Sequence, residues 1–196
     1  MSFALSLAAG ALLWTLLEYV LHRWLGHRFR RNFFGAEHTR HHSQGDYFAP
    51  SWKKFVAALV AAALTFSIGV LVVQPTLAAA FTLGLVGCYL GYEMLHRWEH
   101  VHEGLSAYGR WARRHHFHHH FVNPSSNHGV TTPLWDWVFG TYERPKSIAV
   151  PERLAMRWLL DGEGDLRAGL DPCYSLRRRR PAMSASKRPE RAPSRR

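Results

Sequence analysis

Cysteine is scarce in this chain, and charged residues are absent from one long stretch of it. The two cysteines are Cys88, in an apolar run, and Cys173, in a polar region, so no disulfide framework is predicted. The 38 residues from 55 to 92 contain no Asp, Glu, Lys or Arg. This stretch, in a 196-residue chain that is 47% hydrophobic, excludes an intrinsically disordered protein.

The formal charge of +11 is distributed unevenly. Residues 177–196 contain nine Lys/Arg and one acid, so this tail supplies +8 and the preceding residues only +3. The tail is rich in Pro, Ser and Arg, and we expect it to be disordered and to lie against anionic lipid headgroups. The net charge therefore does not predict a nucleic-acid partner.

Three apolar segments are long enough to cross a bilayer as helices. They are predicted at about 3–21, 55–73 and 76–95, and Gln74-Pro75 forms the turn of a hairpin, because proline disfavours helix at the residue before it. A signal peptide is the alternative for the first segment, but no basic residue precedes it and no small-residue cleavage site follows. A soluble helical core is the alternative for the hairpin, but the rest of so short a chain could hardly cover it.

Basic residues flank the predicted spans on one side. They lie between the first span and the hairpin and again after the third span, whereas the turn at Gln74-Pro75 has none. By the positive-inside rule both basic segments are cytoplasmic, and all histidines lie on that side of the bilayer or at its edge. We predict an all-α integral membrane protein with about three transmembrane helices and a cytoplasmic helical cap. The membrane domain covers 1–142, an amphipathic, partly helical extension 143–176, and the basic tail 177–196.

Ten of the 14 histidines form four groups with the spacing of metal ligands. H-x-x-x-x-H and then H-x-x-H-H follow the first span, and H-x-x-x-H and a second H-x-x-H-H follow the hairpin. Positions i, i+3 and i+4 share one face of a helix, so each H-x-x-H-H offers three imidazoles to one side. His22 and His27 are five residues apart, so we expect the helix to end or distort near Gly26. The candidate ligands are His22, His27, His38, His41, His42, His96, His100, His116, His119 and His120.

A site made of histidines suits iron or zinc. Neutral imidazole binds these ions without adding charge, which keeps the metal cationic and oxidising. Two ions with octahedral tendencies use about ten to twelve positions, so ten histidines provide for two ions and leave positions open for oxygen. A His-rich metal-storage tract is an alternative, but it predicts loose repetition instead of fixed spacings attached to spans.

The run from 115 to 120 leaves its register open, because His115, His118 and His119 also spell H-x-x-H-H. We expect His115, His118 and His102 not to bind metal, and His128 is a candidate extra ligand.

With these four boxes around a membrane hairpin, the sequence resembles the fatty acid hydroxylase/sterol desaturase superfamily. The resemblance covers residues from about 18 to 142 and is most specific in N-H-G-V-T-T at 127–132 and W-D-W-V-F-G-T-Y at 135–142. In that family an aromatic residue follows the second H-x-x-H-H. Phe121 takes that place here, which selects the register of His119 and His120 with His116.

The resemblance implies a membrane-bound non-haem diiron oxygenase of lipid biosynthesis. Such an enzyme uses O2 to hydroxylate or desaturate an unactivated C–H bond of a lipid, with a fatty acyl chain as the favoured substrate. Two irons are implied, although zinc can occupy such a site in purified material. No catalytic residue beyond the metal ligands is required.

The sequence also departs from the family. Members that hydroxylate sphingolipid acyl chains have four spans and often a fused haem electron-transfer domain. With three predicted spans and no room for such a domain, we expect electrons to come from a separate protein. Carotenoid ring hydroxylases share the four boxes and are an alternative, although they do not usually carry W-D-x-x-F-G-T. A catalytically inactive, His-rich membrane scaffold is the second alternative, and the completeness of all four boxes argues against it.

Three carboxylates are candidates for orienting the metal-bound histidines, since such a histidine commonly donates its other N–H to an acid. Glu18 lies four residues before His22, Glu93 three before His96, and Asp136 between two tryptophans. Pairing with a basic residue or snorkelling is the alternative for the two glutamates, and a turn or cap for Asp136. The acids expected to be solvated are Glu37, Asp46, Glu99 and Glu103.

Overall fold

Helices make up most of the computed structural model, which describes residues 2–103, 106–170 and 172–178. The α-helices are α1 (Phe3–Val20), α2 (Phe33–Ser43), α3 (Ser51–Gly69), α4 (Pro75–Val101), α5 (Ala107–Phe121) and α6 (Leu134–Val138). Among the described residues, three helical segments are long and apolar enough to cross a membrane: Phe3–Arg28, Ser51–Gly69 and Pro75–Val101. The predicted helical membrane fold is confirmed.

The hairpin turn differs slightly from the prediction. The second span ends at Gly69 instead of 73, and Pro75 is the first residue of α4. Proline is favoured at this position because the N–H it lacks would have no acceptor within the helix. The third span also continues to Val101, beyond the predicted end at 95.

α1 packs closely against α4 through small residues. A Cβ atom on Gly10 would lie 2.0 Å from the Phe81 carbonyl oxygen, and one on Gly84 would lie 2.0 Å from the Leu7 carbonyl oxygen. Ser6 of α1 is also fully buried. Because lipid tails are as apolar as the side chains, close backbone approach of this kind drives helix association in membranes.

The outer surface of α3 is apolar and uncovered. Within this helix, all of which the structure describes, only Ala58 is buried. Large apolar side chains along it, such as Leu59, Leu64 and Ile68, are more than half exposed. An uncovered apolar face of this length is explained by contact with lipid.

α1 continues into a π-helix over Leu21–Arg28. The distortion predicted between His22 and His27 is therefore confirmed, and it takes the form of a wider helical turn. In a π-helix residues five apart stack one above the other, because the hydrogen bonds join residues i and i+5. The wider turn thus gives the two histidines a common face.

The extension after the membrane domain covers α5 and contains strands that the sequence analysis did not predict. β1 (Ile148–Pro151) and β2 (Tyr174–Arg177) pair in parallel, with Ile148 opposite Tyr174. Two single-turn 3-10 helices, at Glu152–Leu154 and Arg157–Leu159, lie between them. The buried side chains of this unit pack on Phe117 and include Ile148, Val150, Met156, Trp158, Leu159 and Tyr174.

This unit closes the cap over the histidine-bearing helices. Trp158 Nε1 donates to the His100 carbonyl oxygen at 2.9 Å, which joins the extension to the end of α4. The predicted start of the basic tail at 177 is wrong, because Arg177 is the last residue of β2, where it lies opposite Pro151. From residue 179 onward the predicted tail lies outside the described residues.

Candidate metal centre

The ten predicted histidines come together as two groups of five. Within each group, one ligand atom from every residue lies within 4.8 Å of the others. The first cluster contains His22, His27, His38, His42 and His119. The second cluster contains His41, His96, His100, His116 and His120.

Each H-x-x-H-H motif serves both clusters, which the sequence analysis did not anticipate. In α2 the i, i+4 pair His38 and His42 belongs to the first cluster, whereas His41 belongs to the second. In α5 the arrangement is reversed, since His116 and its i+4 partner belong to the second cluster and His119 to the first. The pair one full turn apart stays together, and the remaining imidazole reaches across to the neighbouring cluster.

The spacing between ring nitrogens fits a bound cation. The Nε2 atom of His27 lies 2.9 Å from the Nε2 atom of His119 and 2.8 Å from the Nε2 atom of His38. In the second cluster the Nε2 atoms of His96 and His41 are 2.9 Å apart. A metal–nitrogen bond of about 2.1 Å puts two ligands at right angles about 3 Å apart, which matches these distances.

Backbone carbonyls orient three of the rings. His41 Nδ1 lies 2.8 Å from the Tyr47 carbonyl oxygen, His119 Nδ1 lies 2.7 Å from the Ser126 carbonyl oxygen, and His22 Nδ1 is bound by the His128 carbonyl. A carbonyl only accepts, so each Nδ1 carries the proton and each Nε2 presents a lone pair to its cluster. This is the tautomer that a metal ligand requires.

Burial keeps these imidazoles neutral. It lowers the pKa of His41 to about 4, and burial together with neighbouring imidazoles holds the pKa values of His119 and His120 well below the ordinary value. The Nε2 atoms of His42 and His120 are buried and have no hydrogen-bond partner among the described residues. A bound cation would accept the lone pairs of these uncharged nitrogens and so supply the partner that they lack. The residues present therefore fit two metal ions.

The other histidines of α5 face away from both clusters. His115 Nε2 lies 3.1 Å from Asp136 Oδ2, and His118 Nε2 lies 3.0 Å from Glu143 Oε2. His102 is exposed at the end of α4. The structure thus groups the residues of the register that Phe121 selected.

His128, the candidate extra ligand, is not part of either cluster. Its ring centroid lies 5.1 Å from that of His119 and 5.5 Å from that of His22. Burial lowers the pKa of His128 to about 4. Its carbonyl, through the contact with His22, is the part of this residue that reaches the first cluster.

None of the three candidate carboxylates bonds to a ring of either cluster. Glu18 accepts hydrogen bonds from the backbone N–H groups of Val130 and Thr131 and, at 2.7 Å, from Thr131 Oγ1. Glu93 forms an ion pair with Lys54 of α3. Glu18 therefore fixes the turn after His128, and its effect on His22 passes through the backbone.

Asp136 organises the same turn from the other side. It accepts hydrogen bonds from the N–H groups of His128 at 2.8 Å and Gly129 at 2.9 Å, and from Thr141 Oγ1 at 2.7 Å. The contact with His115 is the fourth one that this fully buried Asp136 side chain makes. This geometry supports the turn or capping role, which was the alternative to the predicted orientation of a metal-bound histidine.

Two acids expected to be solvated are not. Glu99 is fully buried, and neither of its carboxylate oxygens has a hydrogen-bond partner among the described residues. The reason is that α4 continues to Val101, which keeps Glu99 inside the packed helix. Glu37 accepts hydrogen bonds from Lys53 and Tyr47, which lower its pKa. Asp46 and Glu103 are exposed, as expected.

A cavity of about 450 Å³ opens beside the clusters, between α1, α2, α3 and α4. His22 and His38 of the first cluster and His41 and His96 of the second lie in its wall. Most of the remaining wall is apolar or aromatic and includes Trp14, Leu17, Leu21, Phe48, Ala61 and Leu85. A cavity with these walls suits a hydrocarbon chain.

Three apolar helices and paired histidine clusters beside an apolar cavity define an integral membrane protein with a candidate dimetal centre. Residues 7–141 match the model of the fatty acid hydroxylase family. This chain therefore belongs to the fatty acid hydroxylase family.

Named relatives and a solved structure agree with this assignment. Dihydroceramide fatty acyl 2-hydroxylase FAH2 of Arabidopsis thaliana is 29% identical over 155 residues, which are 74% of this chain and 63% of that protein. Fatty acid 2-hydroxylase of Homo sapiens is 32% identical over 67% of this chain and 38% of its own length. The structure of full-length scs7p, with only its hydroxylase domain visible, has a TM-score of 0.55 and 27% identity, and covers 75% of this chain and 60% of that one. The chain thus spans less than two thirds of these relatives.

Proposed function

We propose that this protein is a membrane-bound non-haem diiron oxygenase that hydroxylates a fatty acyl chain of a membrane lipid in lipid biosynthesis. The observation that carries the proposal is the pair of five-histidine clusters in the wall of one apolar cavity. Imidazole-only sites favour an oxidising, cationic metal, and the apolar cavity admits a hydrocarbon with no acidic hydrogen. The relatives named as fatty acid and ceramide hydroxylases support the same reaction.

In the proposed reaction one acyl C–H bond, O2, two electrons and two protons give one alcohol and one water. Desaturation would instead break two C–H bonds on adjacent carbons and, with O2, two electrons and two protons, give an alkene and two waters. Each histidine cluster would hold one iron, and zinc would compete for the same nitrogens in purified protein. Bound iron would supply the reduction of O2 that attack on an unactivated C–H bond requires.

The chain's own residues hold the ligands in place and exclude water. The carbonyls of Tyr47 and Ser126 fix the orientation of His41 and His119. Phe48 lies with its ring centroid 5.3 Å from that of His41 and 5.7 Å from that of His100, which shields the second cluster from solvent. A dry site protects a strong oxidant from side reactions.

The substrate we favour is an acyl lipid hydroxylated at the carbon next to its carbonyl. Relatives that are 29% and 32% identical to this chain are named dihydroceramide fatty acyl 2-hydroxylase and fatty acid 2-hydroxylase. The apolar wall from Trp14 to Leu17 continues down α1 into the membrane-spanning region, so the chain end of a lipid would enter from the bilayer.

The proposed orientation rests on the distribution of basic residues. We propose that both clusters face the cytoplasm, because the basic residues flank the spans on that side. Electrons would come from a separate reductase or carrier protein. The basic tail at 177–196 would lie on anionic headgroups of the same face, outside the chemistry.

Comparative lipid mass spectrometry of cells with and without the gene tests the function. We expect a gene-dependent hydroxylated acyl lipid that disappears in His119→Ala. A hydroxylated carotenoid would instead support a ring hydroxylase, and an unsaturated acyl chain a desaturase. Unchanged lipids with a protein that still binds metal would support an inactive scaffold.

A further inference from the structure

An ion pair lies at the polar rim of the cavity, where α3 and α4 meet. Lys54, near the start of α3, contacts Glu93 of α4, and both residues line the cavity. The two side chains are only 24% and 19% exposed. Tyr89, one turn before Glu93, donates a hydrogen bond from its hydroxyl to the Lys54 carbonyl oxygen at 3.1 Å, which fixes the start of α3.

The aromatic ring of Phe48 lies close both to Lys54 and to the second cluster. The Lys54 Nζ atom lies 5.8 Å from the centroid of the Phe48 ring. That ring centroid in turn lies 6.0 Å from the His96 ring and 5.3 Å from the His41 ring. An ammonium group therefore stands close to the candidate metal centre and faces the same cavity.

The apolar part of the cavity extends away from this pair into the membrane. Ala61 lies about two turns beyond Lys54 in α3, and Leu85 lies about two turns before Glu93 in α4. At 1.5 Å per residue these positions are about 10 to 12 Å deeper in the membrane-spanning region. A lipid bound here would have its polar end at Lys54 and its hydrocarbon chain along Ala61 and Leu85.

We propose that Lys54 anchors the acyl carbonyl oxygen of the substrate and that Glu93 positions Lys54 for this contact. The anchor sets which carbon faces the clusters: with the carbonyl held one ring away from His96, the first carbons of the acyl chain are in reach, and carbons further along are not. This assignment rests on the proposed function and adds the residue that determines the position of hydroxylation.

The pairing with Glu93 also affects which polar end is accepted. Lys54 and Glu93 together are neutral, and they offer an ammonium group that donates hydrogen bonds and a carboxylate group that accepts them. An amide-linked acyl chain supplies a carbonyl for Lys54 and an N–H for Glu93, whereas the carboxylate of a free fatty acid is repelled by Glu93. An amide-linked acyl chain and a free fatty acid both offer an acyl carbonyl to Lys54, and they differ in the group next to it.

The first test is binding, which does not depend on turnover. Purified protein in detergent is titrated with a short-chain N-acyl sphingoid base, with the free fatty acid of equal chain length, and with the matching alkane. Lys54→Met is expected to weaken binding of the N-acyl lipid about tenfold to hundredfold, since a charge-assisted hydrogen bond is lost, and to leave alkane binding unchanged. Lys54→Arg is expected to retain most of the affinity.

Glu93→Gln tests the positioning role and the choice of polar end. Without its carboxylate, Lys54 is an unbalanced cation, so the ratio of free fatty acid to N-acyl lipid binding is expected to rise several-fold. Arg167→Met is the control, because Arg167 pairs with Glu103 on the exposed surface and neither residue lines the cavity. It is expected to leave the ratio unchanged.

The second test is the position of the hydroxyl group in product formed by each variant. Lys54→Met is expected to shift hydroxylation from the carbon next to the carbonyl to carbons further along, while Arg167→Met and Lys54→Arg keep the original position. N-acyl lipid binding and product position that are both unchanged in Lys54→Met would overturn the anchor. If Lys54→Met weakens binding of the N-acyl lipid as expected but the wild-type protein hydroxylates no lipid, the proposed function is refuted and the binding role of Lys54 stands.

Discussion

The imidazole rings of His42 and His120 lie face to face, with centroids 3.9 Å apart and planes inclined by 4°. His42 belongs to the first cluster and His120 to the second. One pair of parallel rings therefore joins the two candidate metal sites and holds them at a fixed separation. The pair comes from the last histidine of each H-x-x-H-H motif.

Removing this stack is expected to disturb both sites. His42→Ala deletes a ligand of the first cluster and the support of His120, so iron content should fall by more than one ion per chain. His27→Ala deletes a ligand of the first cluster alone and should cost about one ion. Metal analysis of the purified variants measures the difference, with exposed His102→Ala as the control that keeps full metal content. Equal losses in His42→Ala and His27→Ala would contradict the bridging role.

Gly26 leaves room for a ligand. A Cβ atom at this position would lie 2.9 Å from Cδ2 of His38, so Gly26→Ala should push that ring out of the first cluster. We expect metal affinity at this cluster to fall about tenfold to hundredfold, as when a ligand loses its orientation. Gly87→Ala is the matched helical control, because no atom lies within 4 Å of its added Cβ. Metal titration measures the affinity of both variants. If Gly26→Ala binds metal as tightly as the wild type, the His38 ring does not depend on this glycine.

The contact between α1 and α4 depends on glycine at two positions. Gly10→Ala and Gly84→Ala each place a Cβ 2.0 Å from a backbone oxygen of the facing helix, so the helices must separate. We expect each to lower the free energy of unfolding by about 1–3 kcal/mol. Thermal unfolding in detergent measures this, and Gly91→Ala, which meets nothing within 4 Å, serves as the control. Equal midpoints for all three variants would show that the packing is looser than described.

Glu18 supports the turn that holds His22. Glu18→Leu leaves the N–H groups of Val130 and Thr131 without an acceptor, at about 1–3 kcal/mol each. We expect lower stability and weaker metal binding at the first cluster, measured by unfolding and metal titration. Glu18→Gln keeps a carbonyl oxygen for both N–H groups and should resemble the wild type. A Gln variant as weak as the Leu variant would point to a role for the negative charge itself.

Much of this architecture could be predicted from local patterns. The long uncharged runs predict the spans because covering so much apolar surface within a short chain is impossible. The fixed histidine spacings predict the ten residues that the clusters contain, and Gly26 with the five-residue spacing predicts the distorted helix. These features depend on neighbours along one helix, which sequence spacing describes directly.

Other features depend on contacts between distant segments and could not be predicted. The division of each H-x-x-H-H between two clusters requires the approach of α2 and α5, whose histidines are about 80 residues apart. The carbonyls of Tyr47 and Ser126 are backbone groups, so no side-chain motif identifies them. The burial of Glu99 follows from where α4 ends, and the exact end of a helix is the part of a sequence pattern that is hardest to predict.

The central claim is that this chain inserts oxygen from O2 into an acyl chain. Membranes containing the wild-type protein, supplied with reductant, electron carrier and isotopically heavy O2, are incubated with an N-acyl lipid, and the product is analysed by mass spectrometry. We expect a single heavy oxygen on the carbon next to the carbonyl, and none in His119→Ala membranes. A product whose new oxygen comes from water, or the same product from His119→Ala, would contradict the oxygenase function.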